Sequence, residues 1–88
     1  GMGKDLKTNA TYIKDSTMNS LKRADELKLT SIAFPAIGTG VGGFPIDECA
    51  KIMIDAVRNF VPQAENIKTV IFALFDKSSY EIFERQLR

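Results

Sequence analysis

The chain has 88 residues, 44% of them hydrophobic, a formal net charge of +1, one cysteine and no histidine. That is enough for one small domain, which buries only roughly 60–65% of its unfolded surface and has little stability to spare. The balanced charge, with no dense Lys/Arg cluster, excludes a general nucleic-acid surface. Missing histidine excludes Ser-His-Asp and Cys-His catalysis and His-containing zinc sites, and a lone cysteine excludes an all-thiolate metal site or a disulfide framework.

The remaining compositional signals are modest. No apolar run is long enough to cross a bilayer, no secretory signal is visible, and the cysteine usage reads as intracellular and cytoplasmic. No cofactor, membrane or metal is implied. Gly1-Met2 reads as an expression remnant, and residues 1–8 are short and polar, so they are expected to be loose. The domain is expected over residues 9–88.

From about Asn9 to Lys28 the pattern is helical, with Asn9 as a plausible cap. Ile13, Thr17, Leu21, Ala24 and Lys28 lie along one face, with Met18 and Leu27 beside it. Lys14, Asp15, Lys22, Arg23, Asp25 and Glu26 are expected to form a solvated outer face. Ser31–Pro35 reads as a short strand, apolar on both sides, as in a parallel strand covered on both faces. Pro45 to about Val61 reads as a second helix. Ile46, Cys49, Ala50, Met53, Val57 and Phe60 recur at spacings of three and four, and Pro62 helps to end it. Residues 69–75, TVIFALF, are β-branched, aromatic and uncharged, the pattern of a second strand. A last helix follows, with Ser78 and Glu81 spaced as a capping box, Asp76 as a competing cap, and an apolar edge of Tyr80, Phe83 and Leu87.

The order αβαβα makes the two strands parallel, joined by a right-handed crossover. Two strands make a poor sheet, because each would leave an edge of unpaired amides and carbonyls. The chain is therefore expected to be part of a larger domain or to complete its sheet with a copy of itself. A homodimer would join two edges antiparallel across a two-fold axis into a four-stranded sheet.

Chemistry concentrates between the first strand and the second helix. Residues 31–45 read SIAFPAIGTGVGGFP. Gly38, Gly40, Gly42 and Gly43 let the backbone take positive φ and approach a ligand closely. A strand, a glycine loop and a helix N-terminus in that order favour an anion, usually a phosphate, because free amides and the helix dipole converge there. Gly38, Gly40 and Gly43 fit G-x-G-x-x-G. However, Pro35-Ala36-Ile37 intervenes before the first glycine, and no acidic residue ends a strand about 20 positions on, as a dinucleotide fold requires. A P-loop lacks its Gly-Lys-Ser/Thr. Cys49 reads as buried filler, Asp47 and Glu48 as residues serving the helix dipole, and Phe44 as either pocket lining or a hydrophobic staple.

The same segment, the Cys49-Ala50 helix, the later VIFALFD and the preceding MNSLKRADEL closely resemble the C-terminal half of a macro domain, the ADP-ribose-binding module. The resemblance covers roughly residues 10–88. It implies an α/β fold, a truncated three-layer α/β/α arrangement with a minimal parallel sheet, completed by dimerisation. It also implies that Gly38, Thr39, Gly40, Val41, Gly42, Gly43 and Phe44 wrap the diphosphate and distal ribose of ADP-ribose or a similar nucleotide diphosphate, and that Phe75 packs on the adenine. Two features depart from the family. Gly42 stands where many members carry an aromatic. The N-terminal half, with its acidic adenine-reading residue and asparagine-containing catalytic segment, has no counterpart in residues 1–30. The resemblance therefore implies weak binding and assigns no catalytic residue. A hydrolase acting on ADP-ribosyl groups or ADP-ribose 1″-phosphate would need a partner chain. A ligand-free oligomerising remnant is the third reading.

Overall fold

A computed structural model describes the chain from residue 2 to 38 and from 43 to 88. The elements run α1 (Met2–Glu26), β1 (Ser31–Phe34), α2 (Ile46–Phe60), a 3₁₀ turn (Val61–Gln63), β2 (Thr69–Phe72) and α3 (Lys77–Leu87). The αβαβα order is as expected. β1 and β2 form a two-stranded parallel sheet in the register Ser31↔Thr69 to Phe34↔Phe72.

Boundaries differ from the expectation where local chemistry decides. α1 begins at Met2, so Asn9 lies inside the helix and is not its cap. The end of α1 is a Schellman turn. Leu29 N donates to Ala24 O and Lys28 N to Asp25 O, each at 3.0 Å, around Lys28 at φ 62°. That turn carries Lys28 away from the apolar face and into solvent. Pro45 stands one residue before α2 and not inside it, extended at φ −58° and ψ 130°. β2 stops at Phe72, although Ala73 N adds one more bond to Phe34 O at 2.7 Å. Asp76 caps α3, accepting from Ser79 N at 2.7 Å; the helix starts at Lys77, which leaves no capping box from Ser78 to Glu81.

One core holds the elements together. Ile13 and Leu21 of α1, Phe34 of β1, Met53, Ile54 and Phe60 of α2, and Phe83 of α3 all enter it. Phe72 stacks between Phe34 and Phe83, with ring centroids 6.4 and 5.1 Å away. Phe83 is 2% exposed. Truncating such a ring to alanine costs about 3–5 kcal/mol, a large share of the roughly 5–15 kcal/mol of a typical domain.

The three-layer arrangement is corrected by the burial pattern. Ile32, Phe34, Val70 and Phe72 face the core, whereas Ser31, Ala33, Thr69, Ile71 and Ala73 on the opposite face are exposed. The described chain is thus two layers, helices on one face of a short sheet. Among the described residues the three helices share a single core on one face of the sheet, so the apolar residues on the other face are exposed.

Asp25 departs from the solvated surface expected of it. Its carboxylate accepts from Glu65 N (3.1 Å), Asn66 N (2.7 Å) and Ile67 N (3.0 Å), and Asn66 Nδ2 returns a bond to Asp25 O at 2.9 Å. One side chain near the end of α1 therefore gathers the turn that leads into β2. These backbone donors hold its carboxyl below the usual aspartate range. Among the described residues, no helix is long and apolar enough to cross a membrane.

Candidate functional site

The candidate site lies at the C-terminal ends of the two strands, the end where open α/β sheets bind ligands. β1 runs out into Pro35 and Ala36, then into a turn at Ile37 and Gly38. Gly38 takes φ 79°, a left-handed conformation that a side chain resists. Its missing Cβ also matters for space, because an added Cβ would stand 3.3 Å from Ile13 Cδ1 and 3.4 Å from Ile13 Cγ1. Ile13 is fully buried, so the loop rests directly on the core of α1.

The loop closes on itself at its base. Phe44 N donates to Gly38 O at 3.1 Å. The Phe44 ring is 5% exposed and part of the core. Phe44 thereby acts as a staple beneath the loop: its ring anchors the exit and its amide is already engaged. Gly43, at φ 65°, has no atom within 4 Å of where a Cβ would stand, so its constraint is conformational only. Thr39, Gly40, Val41 and Gly42, expected to carry most of the phosphate contacts, lie outside the described residues.

α2 begins immediately after this loop. Pro45 has no N–H, and Pro45 O receives the first helical bond, from Cys49 N at 3.0 Å. The amides of Ile46, Asp47 and Glu48 precede that bond and have no acceptor within the helix. They face the side from which the loop arrives and favour an anion there. Asp47 and Glu48 stand in the same first turn, so any bound anion shares the terminus with two carboxylates.

Phe75 stands across from the loop's entry. It lies beyond the end of β2, in the link to α3, and is 94% exposed. With Pro35, Ala36, Ala73, Leu74, Asp76 and Ser79 it lines an open groove of about 240 Å³. Pro35 and Ala36 come from the end of β1 and the others from the end of β2 and the start of α3. The sheet thus brings together the two ends that the sequence separates by nearly half its length. Sequence reasoning selected Phe75 but missed this floor, since small and apolar residues at strand ends carry no motif of their own.

Cys49 is filler of a specific kind. Its thiol donates to Ile37 O (3.2 Å) and lies 3.6 Å from Met53 Sδ, tying α2 to the segment before Gly38. Burial raises its pKa to about 11, which suits a packed thiol and not a nucleophile. Among the described residues no cluster of His, Cys, Asp and Glu could hold a metal ion.

A parallel β-α-β unit with a glycine-rich connection after its first strand, a following helix N-terminus and an exposed ring after its second strand defines an α/β domain with a candidate site at its strand ends. A profile of the macro domain matches residues 2–53. The chain belongs to the macro domain family. A macro domain-containing protein of Caldanaerobacter subterraneus subsp. tengcongensis is 40% identical over 68 residues, covering 77% of this chain and 38% of that protein. An uncharacterized protein of Sulfurisphaera tokodaii is 37% identical over 79 residues, covering 85% of this chain and 43% of that one. Among solved structures, the Oceanobacillus iheyensis macrodomain with ADP superposes with a TM-score of 0.83 at 32% identity, covering 89% of this chain and 40% of that one. The Trypanosoma brucei macrodomain in complex with ADP-ribose shares the fold, with a TM-score of 0.85 at 24% identity. The chain thus spans about two-fifths of the length of these first relatives.

Proposed function

We propose that this chain binds ADP-ribose, or a related nucleotide diphosphate, in the cleft between the Gly38–Phe44 loop and Phe75. The observation that carries the reading is the pinch at the base of the loop. Gly38 O and Phe44 N close it at 3.1 Å, which brings the strand-end side and the α2 side of the segment together at its base. Gly38, Thr39, Gly40, Val41, Gly42 and Gly43 present backbone to the diphosphate and distal ribose, while Phe44 holds the loop from below. Backbone donors suit an oxyanion here because the chain offers no dense cationic cluster. Phe75, almost wholly exposed beside an apolar groove, stacks on the base, a contact worth about 1–3 kcal/mol. The relative of known structure that holds ADP, at 32% identity, supports the ligand class.

Binding is weak by this account. Gly42 supplies no side-chain wall for the distal ribose, and the chain matches only the part of the family that lacks the acidic reader of the adenine amino group. Each missing contact worth about 1.4 kcal/mol weakens affinity tenfold. Titration calorimetry of the full chain with ADP-ribose, ADP and inorganic phosphate tests the reading. The expected order of affinity places both nucleotides above phosphate; no heat from any of the three at millimolar ligand refutes it.

A further inference from the structure

We propose that Cys49 is a positioning residue for the glycine loop: its thiol proton holds the Ile37 carbonyl toward the core and so keeps the Gly38 amide turned the opposite way, available to an oxyanion. The inference rests on the ligand reading for what the amide meets, and on contacts inside the core for how the amide is held.

Cys49 is fully buried on α2, and its thiol donates to Ile37 O at 3.2 Å. A hydroxyl on a buried helix face can turn back on its own helix, as Thr17 does to Ile13 O at 2.8 Å. The Cys49 thiol instead reaches a different segment, twelve residues earlier in the chain. Met53 Sδ, at 3.6 Å, is a second acceptor within the helix, and a thioether is a weak one. The donor is present at neutral pH, since burial raises the thiol pKa to about 11. The next peptide is fixed from two other sides. Gly38 O accepts from Phe44 N at 3.1 Å, and the Ile13 side chain closes the direction in which a Cβ at Gly38 would point.

Peptide geometry supplies the consequence. The Ile37–Gly38 peptide is trans, so its C=O and N–H point in opposite directions. With Ile37 O turned in to Cys49, Gly38 N–H is turned away from it and meets no acceptor among the described residues. The soft motion left to this peptide is a half-turn about its own axis. That flip carries φ of Gly38 from 79° to the negative side, which glycine accepts without steric cost. It sends Ile37 O outward, where it repels an oxyanion, and Gly38 N–H inward, beside a thiol sulfur that accepts poorly. The thiol proton therefore distinguishes the two orientations, because only the observed one gives it the carbonyl. Cys49 biases a two-state peptide toward the form that binds an anion, and apparent affinity falls with the fraction of chains in that form.

NMR and calorimetry on the full chain test the proposal with two variants. C49A removes the donor, and C49S keeps one at the same place. Circular dichroism verifies that each is folded. Without ligand, the Ile37 carbonyl carbon and Gly38 amide nitrogen signals are expected to move in C49A and to return close to their parental positions in C49S. With ADP-ribose or inorganic phosphate, C49A binds about three- to tenfold more weakly than the parent, and C49S within about twofold of it. The parental chain supplies a further readout that needs no variant: its Gly38 amide exchanges quickly with solvent and slows when either ligand is added. Parental signals or affinity in C49A, a loss that C49S does not restore, or a Gly38 amide already protected without ligand each overturn the proposal. A parental chain that binds neither ligand overturns the ligand reading instead, and the ligand-free signals of Ile37 and Gly38 then decide the role of the thiol by themselves.

Discussion

Replacing Gly38 with alanine separates the two demands that the structure places on the loop entry. At φ 79° an alanine takes the left-handed penalty of about 1–2 kcal/mol. Restricting the unfolded chain returns about 0.4–1 kcal/mol. Those two terms also govern Gly43, at φ 65° with open space around it, so G43A should cost a net of about 1 kcal/mol. Gly38 differs because its new Cβ presses on the buried Ile13 side chain at 3.3 Å. Overpacking of this kind costs about 1–3 kcal/mol. The contact is closer than ordinary van der Waals distance by only a few tenths of an ångström, which sets the lower figure, and G38A should therefore cost about 2 kcal/mol in all. In a domain of this size, 1 kcal/mol moves the midpoint by about 4–8 °C. Urea titration and thermal melts of the two variants in parallel provide the assay. If G38A is no more destabilising than G43A, the loop does not rest on α1, and the account of how its entry is held in place fails.

The other predictions are smaller in scope. Backbone donors from Glu65, Asn66 and Ile67 lower the Asp25 pKa in the folded state. Its contribution to stability is therefore complete above the ordinary unfolded value of about 4 and is lost as pH falls through the depressed folded value. D25N should be less stable than the parent at neutral pH, and the gap should narrow in acid; a gap that stays constant down to strong acid removes the clamp. Cys49 is held neutral by burial, its pKa raised to about 11. It should label slowly with a thiol reagent at mildly alkaline pH unless denaturant is added, and its contribution to stability should fall above about pH 8.5, where an unfolded thiol ionises. Fast labelling of the folded chain would contradict that placement. F75A should leave the melting temperature unchanged, since the ring is exposed, and weaken ADP-ribose binding by about tenfold or more; unchanged affinity would detach Phe75 from the site.

The order of elements, the buried stripe of α2 and the position of the glycine loop were legible in the residues because each is a local property. A spacing of three and four, a β-branched run or a glycine at a forced turn acts over a few residues and leaves its mark there. Tertiary structure alone decided which faces those elements cover. Ala33 and Ile71 look like core and stand exposed, because coverage depends on how many helices reach each side of the sheet. Asp25 reads as one charge among many on a solvated helix, yet it clamps a turn some forty residues away, a partnership that no spacing encodes. Phe44 and Phe75 are the same residue type, both expected at the site, in contrasting surroundings. The fold buries the first as a prop and leaves the second bare, because Phe44 closes back onto Gly38, which rests on Ile13, whereas Phe75 lies beyond the last paired residues of β2.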